Sequence, residues 1–279
     1  RFIPLSGLIA ADHEEWTAGD ANSVLVVFSQ ALSPNARIAL EIGCEFSATI
    51  LICGADVVVD ESIRTAKGMN LFVIHHPPEE KENGLLVRVT GPALASAIAL
   101  GLAALVTGED TALGIQDQWK QCADAMELRL HTLPPAMNWF AEPPAFLVYG
   151  TDGSERNHLL RWTLLECFDN YDPPVWDLMS FAHGAFQNSF NGPRTLILLR
   201  SQEDLVLRPL FARLRDMLNK TPHSLIDLSS ELPRPWCTLE HLAAVQAYML
   251  RHLQLHPRDL AHWPGQGQDE AIYNLAQLP

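Results

Sequence analysis

The sequence is short of positive charge. Across 279 residues, 19 Lys and Arg stand against 33 Asp and Glu, a formal net charge of −14 with His neutral. A general nucleic-acid binder needs a basic face to neutralise phosphates, so that class is excluded. A small phosphorylated ligand, held by a few local donors, is not. Long apolar runs are missing as well. The longest aliphatic stretch, Ala93 to Val106, falls short of the about 20 residues that a bilayer span takes. No charged-then-apolar leader opens the chain at Arg1, so no membrane partner is expected. The five cysteines (Cys44, Cys53, Cys122, Cys167, Cys237) include no CxxC pair. A scattered, odd set reads as reduced thiols and a cytoplasmic location.

Metal and nucleotide signatures are absent too. The 11 His include no HExxH, and the tandem His75-His76 has no clear third partner. Asp152 and the Asp169–Asp172 cluster lack ligand spacing, so neither metal nor organic cofactor is expected. There is no GxGxxG after a strand, no P-loop and no GxSxG elbow, which leaves nucleotide and esterase functions without support.

What is present is an alternation of short β-branched runs with longer helical ones, the pattern of a parallel α/β sheet. Strands are expected at Ser23–Phe28, Thr49–Cys53 and Leu71–His75, then helices at Ala93–Val106 and Gly114–His131. The small-residue helix from Ala93 carries enough apolar coverage to be buried on several sides. Leu133 to Pro144 holds four prolines in two PP pairs and reads as a linker. The theme then restarts with strands at Ala145–Tyr149, Thr195–Leu199 and Ser224–Leu228. Helices are expected at Glu155–Phe168, Gln202–Asn219 and Thr238–Leu253. The fold class is therefore α/β, in two units of similar build dividing near residue 140.

In open parallel sheets, ligands sit beyond the carboxyl ends of the strands, at helix N-termini. That places candidate sites at the Ser29–Asn35 turn and the Gly150–Ser154 turn. Ser29, Gln30 and Ser33 put two hydroxyls and an amide before a helix start, which suits a phosphate or a sugar hydroxyl. Ser33 followed by Pro34 is also a plain N-cap, and a cap and an anion site are not exclusive. In Phe181-Ala182-His183-Gly184-Ala185-Phe186, an imidazole beside glycine is either a proton shuttle or a structural histidine in an apolar setting. Glu166, within Leu164-Leu165-Glu166-Cys167-Phe168, is either a partly buried base or half of an ion pair with Arg161.

These pieces, taken in order, resemble the tandem sugar isomerase (SIS) family. The family's Ser-Gln-Ser-Gly-Glu-Thr loop corresponds to Ser29-Gln30-Ala31-Leu32-Ser33-Pro34. Its Lys-Glu pair corresponds to Leu165-Glu166, and its Lys-His-Gly-Pro stretch to Ala182-His183-Gly184-Ala185. Its C-terminal Pro-Arg-Asn-Leu-Ala-Lys corresponds to Pro257-Arg258-Asp259-Leu260-Ala261-His262. The resemblance implies two SIS-like domains, residues 1–140 and 141–279, each a parallel sheet flanked by helices in three α/β/α layers. The family has an earlier strand and Gly-Thr-Ser loop upstream of residues like Arg1 to Trp16. It implies a sugar-phosphate ligand bound by Ser29, Gln30 and Ser33. Catalysis would fall to Glu166 as base, His183 as ring-opening group and His262 at the place of the family lysine. In the family that histidine comes from the neighbouring subunit, so a homodimer with a shared active site is implied.

The departures are Ala31 and Pro34 for two loop hydroxyls, Leu32 for glycine, Thr163 for a lysine three residues before the glutamate, and His262 for the terminal lysine. Three expectations follow. The chain is a phosphosugar isomerase or deglycase; or it binds a sugar derivative without turnover; or Leu32, Phe181 and Phe186 line a pocket for a different substrate.

Overall fold

The structure is a computed structural model. The residues it describes are 23–54, 58–59, 70–77, 80–82, 84–85, 87–108, 112–132, 145–150, 154–167, 173–202 and 204–268. The Leu133–Pro144 linker lies outside them. The chain divides into two compact units, residues 1–98 with 261–279, and residues 99–260.

The first unit holds β1 (Val24–Ser29), α1 (Pro34–Ile42), β2 (Ala48–Gly54) and β3 (Leu71–His76). The strands form a three-stranded parallel sheet in the order β1-β2-β3. Val27, Leu51 and Cys53 pack against Ala36, Ala39 and Leu40 of α1. Alternation sends Val24, Val26 and Phe28 to the opposite face, where they are exposed. α2 (Thr90–Thr107) runs from this unit into the second. It is half-buried rather than enclosed, and Leu105 and Val106 are exposed.

The second unit continues with α3 (Ala112–Thr132), β4 (Ala145–Tyr149), α4 (Ser154–Cys167) and β5 (Val175–Asp177). A short helix α5 (Leu178–Ser180), a π turn over Phe181–Ala185 and α6 (Phe186–Ser189) follow. Then come β6 (Thr195–Ser201), α7 (Arg208–Leu218), β7 (Ser224–Ser230) and α8 (Cys237–Leu255). The parallel sheet runs β5-β4-β6-β7. The edge strand β5 is absent from the sequence reading, because three residues following Pro173-Pro174 carry too little pattern to register. α7 also starts later than Gln202. Asp204 accepts the Ser201 N–H at 3.0 Å, so the loop is committed to a turn before Pro209 opens the helix.

Helices cover both faces of this sheet. Phe146, Val148, Leu196 and Leu198 pack with Leu178, Phe181, Phe211, Leu214 and Leu218. Leu147, Ile197 and Leu199 alternate to the other face and are buried, as are Leu160 and Leu164 of α4 and Leu239, Leu242 and Val245 of α8. Two-sided burial is why β6 reads as a continuous apolar run.

Three buried polar groups lock α8 to the sheet. Glu240 accepts from Arg129 Nε of α3 at 2.6 Å and from the Ser230 hydroxyl at 2.7 Å. Arg129 also donates to the Ser229 carbonyl. His241 donates from Nε2 to the Arg200 carbonyl at 3.0 Å. Burial pushes its pKa down from 6.5 to about 4. At pH above 6.5 the ring is neutral whether the chain is folded or not. Between 6.5 and about 4 the unfolded chain takes up a proton that the folded one refuses, so stability falls as pH drops. Over that window His241 costs the native state about 3 kcal/mol. Urea unfolding at pH 7, 5.5 and 4 should therefore show a shallower acid loss in His241→Gln, which keeps a donor; parallel curves would refute the assignment.

Candidate functional site

At the carboxyl edge of the first sheet, Ser29, Gln30 and Ser33 fall within one tight turn. Leu32 is the residue that bends it, with φ of +49°. That left-handed conformation costs a non-glycine residue about 1–2 kcal/mol. Its side chain turns inward and is 5% exposed, packed with Val27, Ala36 and Leu40. The glycine-like backbone is thus kept and the added bulk goes to the core.

The hydroxyls are engaged by the turn itself. Ser29 Oγ accepts the Ser33 N–H at 3.1 Å, and Ser33 Oγ accepts the Ala36 N–H at 3.3 Å, capping α1. Each oxygen keeps its own O–H to donate. The Gln30 carbonyl accepts the Gly54 N–H at 3.1 Å, tying the turn to β2. The Gln30 amide lies on Gly91, where a Cβ would come within 2.7 Å of Nε2. A side chain at position 91 would therefore displace the Gln30 amide. Glu82 caps the same helix by accepting from Val89 N–H, Thr90 N–H and the Thr90 hydroxyl.

Ser29, Cys53 and His75 occupy one register row across β1, β2 and β3. His75 Nδ1 lies 2.9 Å from the Gly54 carbonyl, and His76 Nδ1 lies 3.1 Å from the Pro77 carbonyl. A carbonyl only accepts, so both rings carry the proton on Nδ1. His76 is buried and His75 is exposed at the edge. Among the described residues no three His, Cys, Asp or Glu side chains are placed to hold a metal.

In the second unit, Glu166 is half-buried on the last turn of α4. The Arg161 guanidinium lies 5.8 Å from the Trp162 ring centroid. Thr163, where the resemblance leads one to expect a lysine, is 5% exposed and donates to the Leu159 carbonyl at 2.9 Å. A lysine charge would be buried there.

His183 sits in the π turn with φ −89° and ψ 24°, and Gly184 follows at φ +143°. The imidazole is exposed, not enclosed by apolar groups as the flanking residues suggest. Phe181 points the other way, 1% exposed, with its ring centroid 6.1 Å from that of Phe146 and 5.9 Å from that of Phe186. Phe181 belongs to the core of the second unit. Asp177 anchors the turn from β5, accepting the Met179 and Ser180 N–H groups, each at 3.0 Å. Hydrogen bonds from the side chain and backbone of Ser180, then from the Met179 backbone, hold its carboxyl below the usual carboxylate value. His262 is exposed and falls with the first unit. Of the Gly150–Ser154 turn, residues 151–153 lie outside the described residues.

A further group at this edge escapes motif reading because its members lie far apart in sequence. Asp204, 6% exposed, receives Arg234 from the loop after β7 and the Ser201 N–H. A Cβ on Gly150 would stand 2.6 Å from both carboxylate oxygens. The ends of β4, β6 and β7 thus converge on one carboxylate.

No protein-family model matches the chain, and no curated protein matches it. Solved structures do. The chain is similar to tagatose-6-phosphate ketose/aldose isomerase from Escherichia coli, with 16% identity, a TM-score of 0.61, and 94% of this chain and 76% of that one covered. It is similar to glucosamine-6-phosphate deaminase from Thermotoga maritima, with 15% identity, a TM-score of 0.58, and 86% and 72% covered. A third is the C-terminal domain of glucosamine-fructose-6-phosphate aminotransferase from Francisella tularensis, with 12% identity, a TM-score of 0.55, and 89% and 76% covered. At these identities the likeness establishes the fold.

Leu32→Gly tests the account of the turn. Relief of backbone strain, about 1–2 kcal/mol, opposes loss of a buried leucine side chain, about 3–5 kcal/mol. The expected net is a destabilisation of about 2–3 kcal/mol by urea unfolding; a stabilised variant would show that the side chain does not pack as described.

Proposed function

Taking the sugar-isomerase fold as premise, we propose that the chain binds a phosphorylated sugar or amino sugar and shifts a proton between its first two carbons. Ser29, Gln30 and Ser33 bind the ligand, and their hydroxyls donate to its oxygens. His183 moves a proton between the ring oxygen and the anomeric hydroxyl, which opens the ring. Glu166 then takes the proton from C2 and returns it to C1 through an enediol. Such a shift runs on acid–base groups alone. His262 stands near the carbonyl end in this reading and serves as a polar partner, since an imidazole forms no stable imine. A homodimer shares the site, with His183 of one copy completing that of the other.

The observation that carries the reading is the first-unit turn. Its left-handed bend survives at Leu32 despite the strain, with two hydroxyls and an amide held at the carboxyl edge. A turn of this shape at the carboxyl edge, in a fold shared with sugar-phosphate proteins, supports a ligand site there.

Binding without turnover is the second reading. One observation favours it: Thr163 is packed and donates to its own helix, so the family lysine three residues before the glutamate has no equivalent there.

A thermal-shift screen with fructose-6-phosphate, tagatose-6-phosphate and glucosamine-6-phosphate separates the readings. A ligand at 100 times its dissociation constant stabilises the fold by about 2.7 kcal/mol. Any stabilising sugar is then assayed for aldose–ketose conversion. Glu166→Gln should bind within about twofold of wild type and lose turnover by at least about 100-fold. Binding with no turnover in wild type supports the second reading. Silence across the panel defeats both.

A further inference from the structure

α4 ends with an electrostatic debt that the sequence settles from far away. The last carbonyls of any α-helix lack intrahelical partners, and that end carries a partial negative charge. Helices commonly meet both needs with a basic side chain in the last turn. α4 has none there. Instead Arg258, 91 residues downstream, donates from its guanidinium to the carbonyl of Cys167. Cys167 is fully buried, so the contact is made against the core and not at a loose end. Its thiol is pushed up to about 12 by burial, while the positive charge of Arg258 pulls the other way.

The residue next to that capped carbonyl is Glu166. On this last turn of α4, among the described residues, the side chain that approaches from the tail is Arg258. It comes from the Pro257–His262 segment, which directly follows α8. At the end of α8 the rings of His252 and His256 stack 4.7 Å apart. His252 is held below its ordinary pKa by burial, then by the charges of His256 and Arg258. The titratable or charged groups gathered at this end, among the described residues, are Glu166, Cys167, His252, His256, Arg258 and Asp259.

We propose that Arg258 is a positioning residue for Glu166. By capping the Cys167 carbonyl it fixes the last turn of α4 and thereby the direction in which Glu166 presents its carboxylate. This rests on the reading of Glu166 as the base. It also gives the tail segment a role separate from His262, because Arg258 acts through a backbone contact and not on the ligand.

The test compares Arg258→Met, Arg258→Lys and Glu166→Gln in the full chain. Amide hydrogen exchange at residues 164–167 should speed at least tenfold in Arg258→Met, and Arg258→Lys should return most of that protection. In the isomerisation assay, Arg258→Met should lower kcat by about tenfold to a hundredfold, the scale of a misplaced catalytic group, with KM within twofold. Added guanidinium should restore part of that loss and leave Glu166→Gln inactive. Wild-type exchange protection in folded Arg258→Met overturns the proposal whatever the activity. Should Arg258→Met fail to fold, wild-type exchange at residues 164–167 together with a wild-type kcat in Arg258→Gln overturns it equally. Wild-type turnover in Glu166→Gln overturns the reading of Glu166 as base, and the proposal with it.

Discussion

Glu240 carries its carboxylate into the first turn of α8 almost out of reach of water, and what that charge then requires ties three elements together. A buried, unpaired carboxylate would cost several kcal/mol. Here Arg129 reaches it from α3 at 2.6 Å and Ser230 from the end of β7 at 2.7 Å, while Arg129 also holds the Ser229 carbonyl. The start of a helix further favours a negative charge. With β7 and α8 fixed, the loop between them has little freedom, and from it Arg234 reaches Asp204. Asp204 in turn stands over Gly150 and holds Ser201. A chain of two paired carboxylates therefore runs along the ends of β4, β6 and β7. It makes the carboxyl edge a rigid frame, which a ligand site in an open parallel sheet requires.

The first unit solves a different problem at its own edge. A turn between a strand and a helix needs a residue that tolerates positive φ, and glycine is the inexpensive choice. Leucine at position 32 recovers the cost by burial: a fully buried leucine is worth about 1.5–3 kcal/mol, against about 1–2 for the strain. The hydroxyls of Ser29 and Ser33 then stabilise the same bend by accepting backbone N–H groups. The turn is therefore stable without a ligand. Its remaining binding capacity lies in the O–H donors and the Gln30 amide, fewer groups than a loop rich in serine and threonine would offer.

The strands, most helices and the α/β class were legible because two-sided burial writes continuous apolar runs such as Thr195–Leu199, and because Ser33-Pro34 announces a helix start. β5 was not legible, since a three-residue edge strand leaves no period to detect. The orientation of Phe181 and the exposure of His183 also escaped. A π turn reverses which neighbours face the core, and no helical period survives across Gly184 at φ +143°. Long-range pairs were invisible for a simpler reason. Arg129 with Glu240, Arg234 with Asp204 and Arg258 with the Cys167 carbonyl join residues distant in the chain, and a single sequence carries no record of such partners. What could have raised suspicion is Glu240-His241 set between Leu239 and the apolar run Leu242–Val245, since buried charge calls for a partner.

The inventory of the proposed site also bears on which chemistry it suits. Moving a proton between adjacent carbons of an opened sugar takes a carboxylate and a group to pass protons at oxygen, and Glu166 and His183 are of those types. Making or breaking a carbon–nitrogen bond gains from an amine able to condense with the carbonyl. The position where the resemblance expects such a lysine holds His262. Thr163 is packed and back-bonded to its own helix, so a lysine there would need its charge buried. An imidazole at 262 is compatible with polarising a carbonyl but not with holding it as an imine. On the proposed reading, the side chains fit a plain aldose–ketose proton shift better than nitrogen transfer.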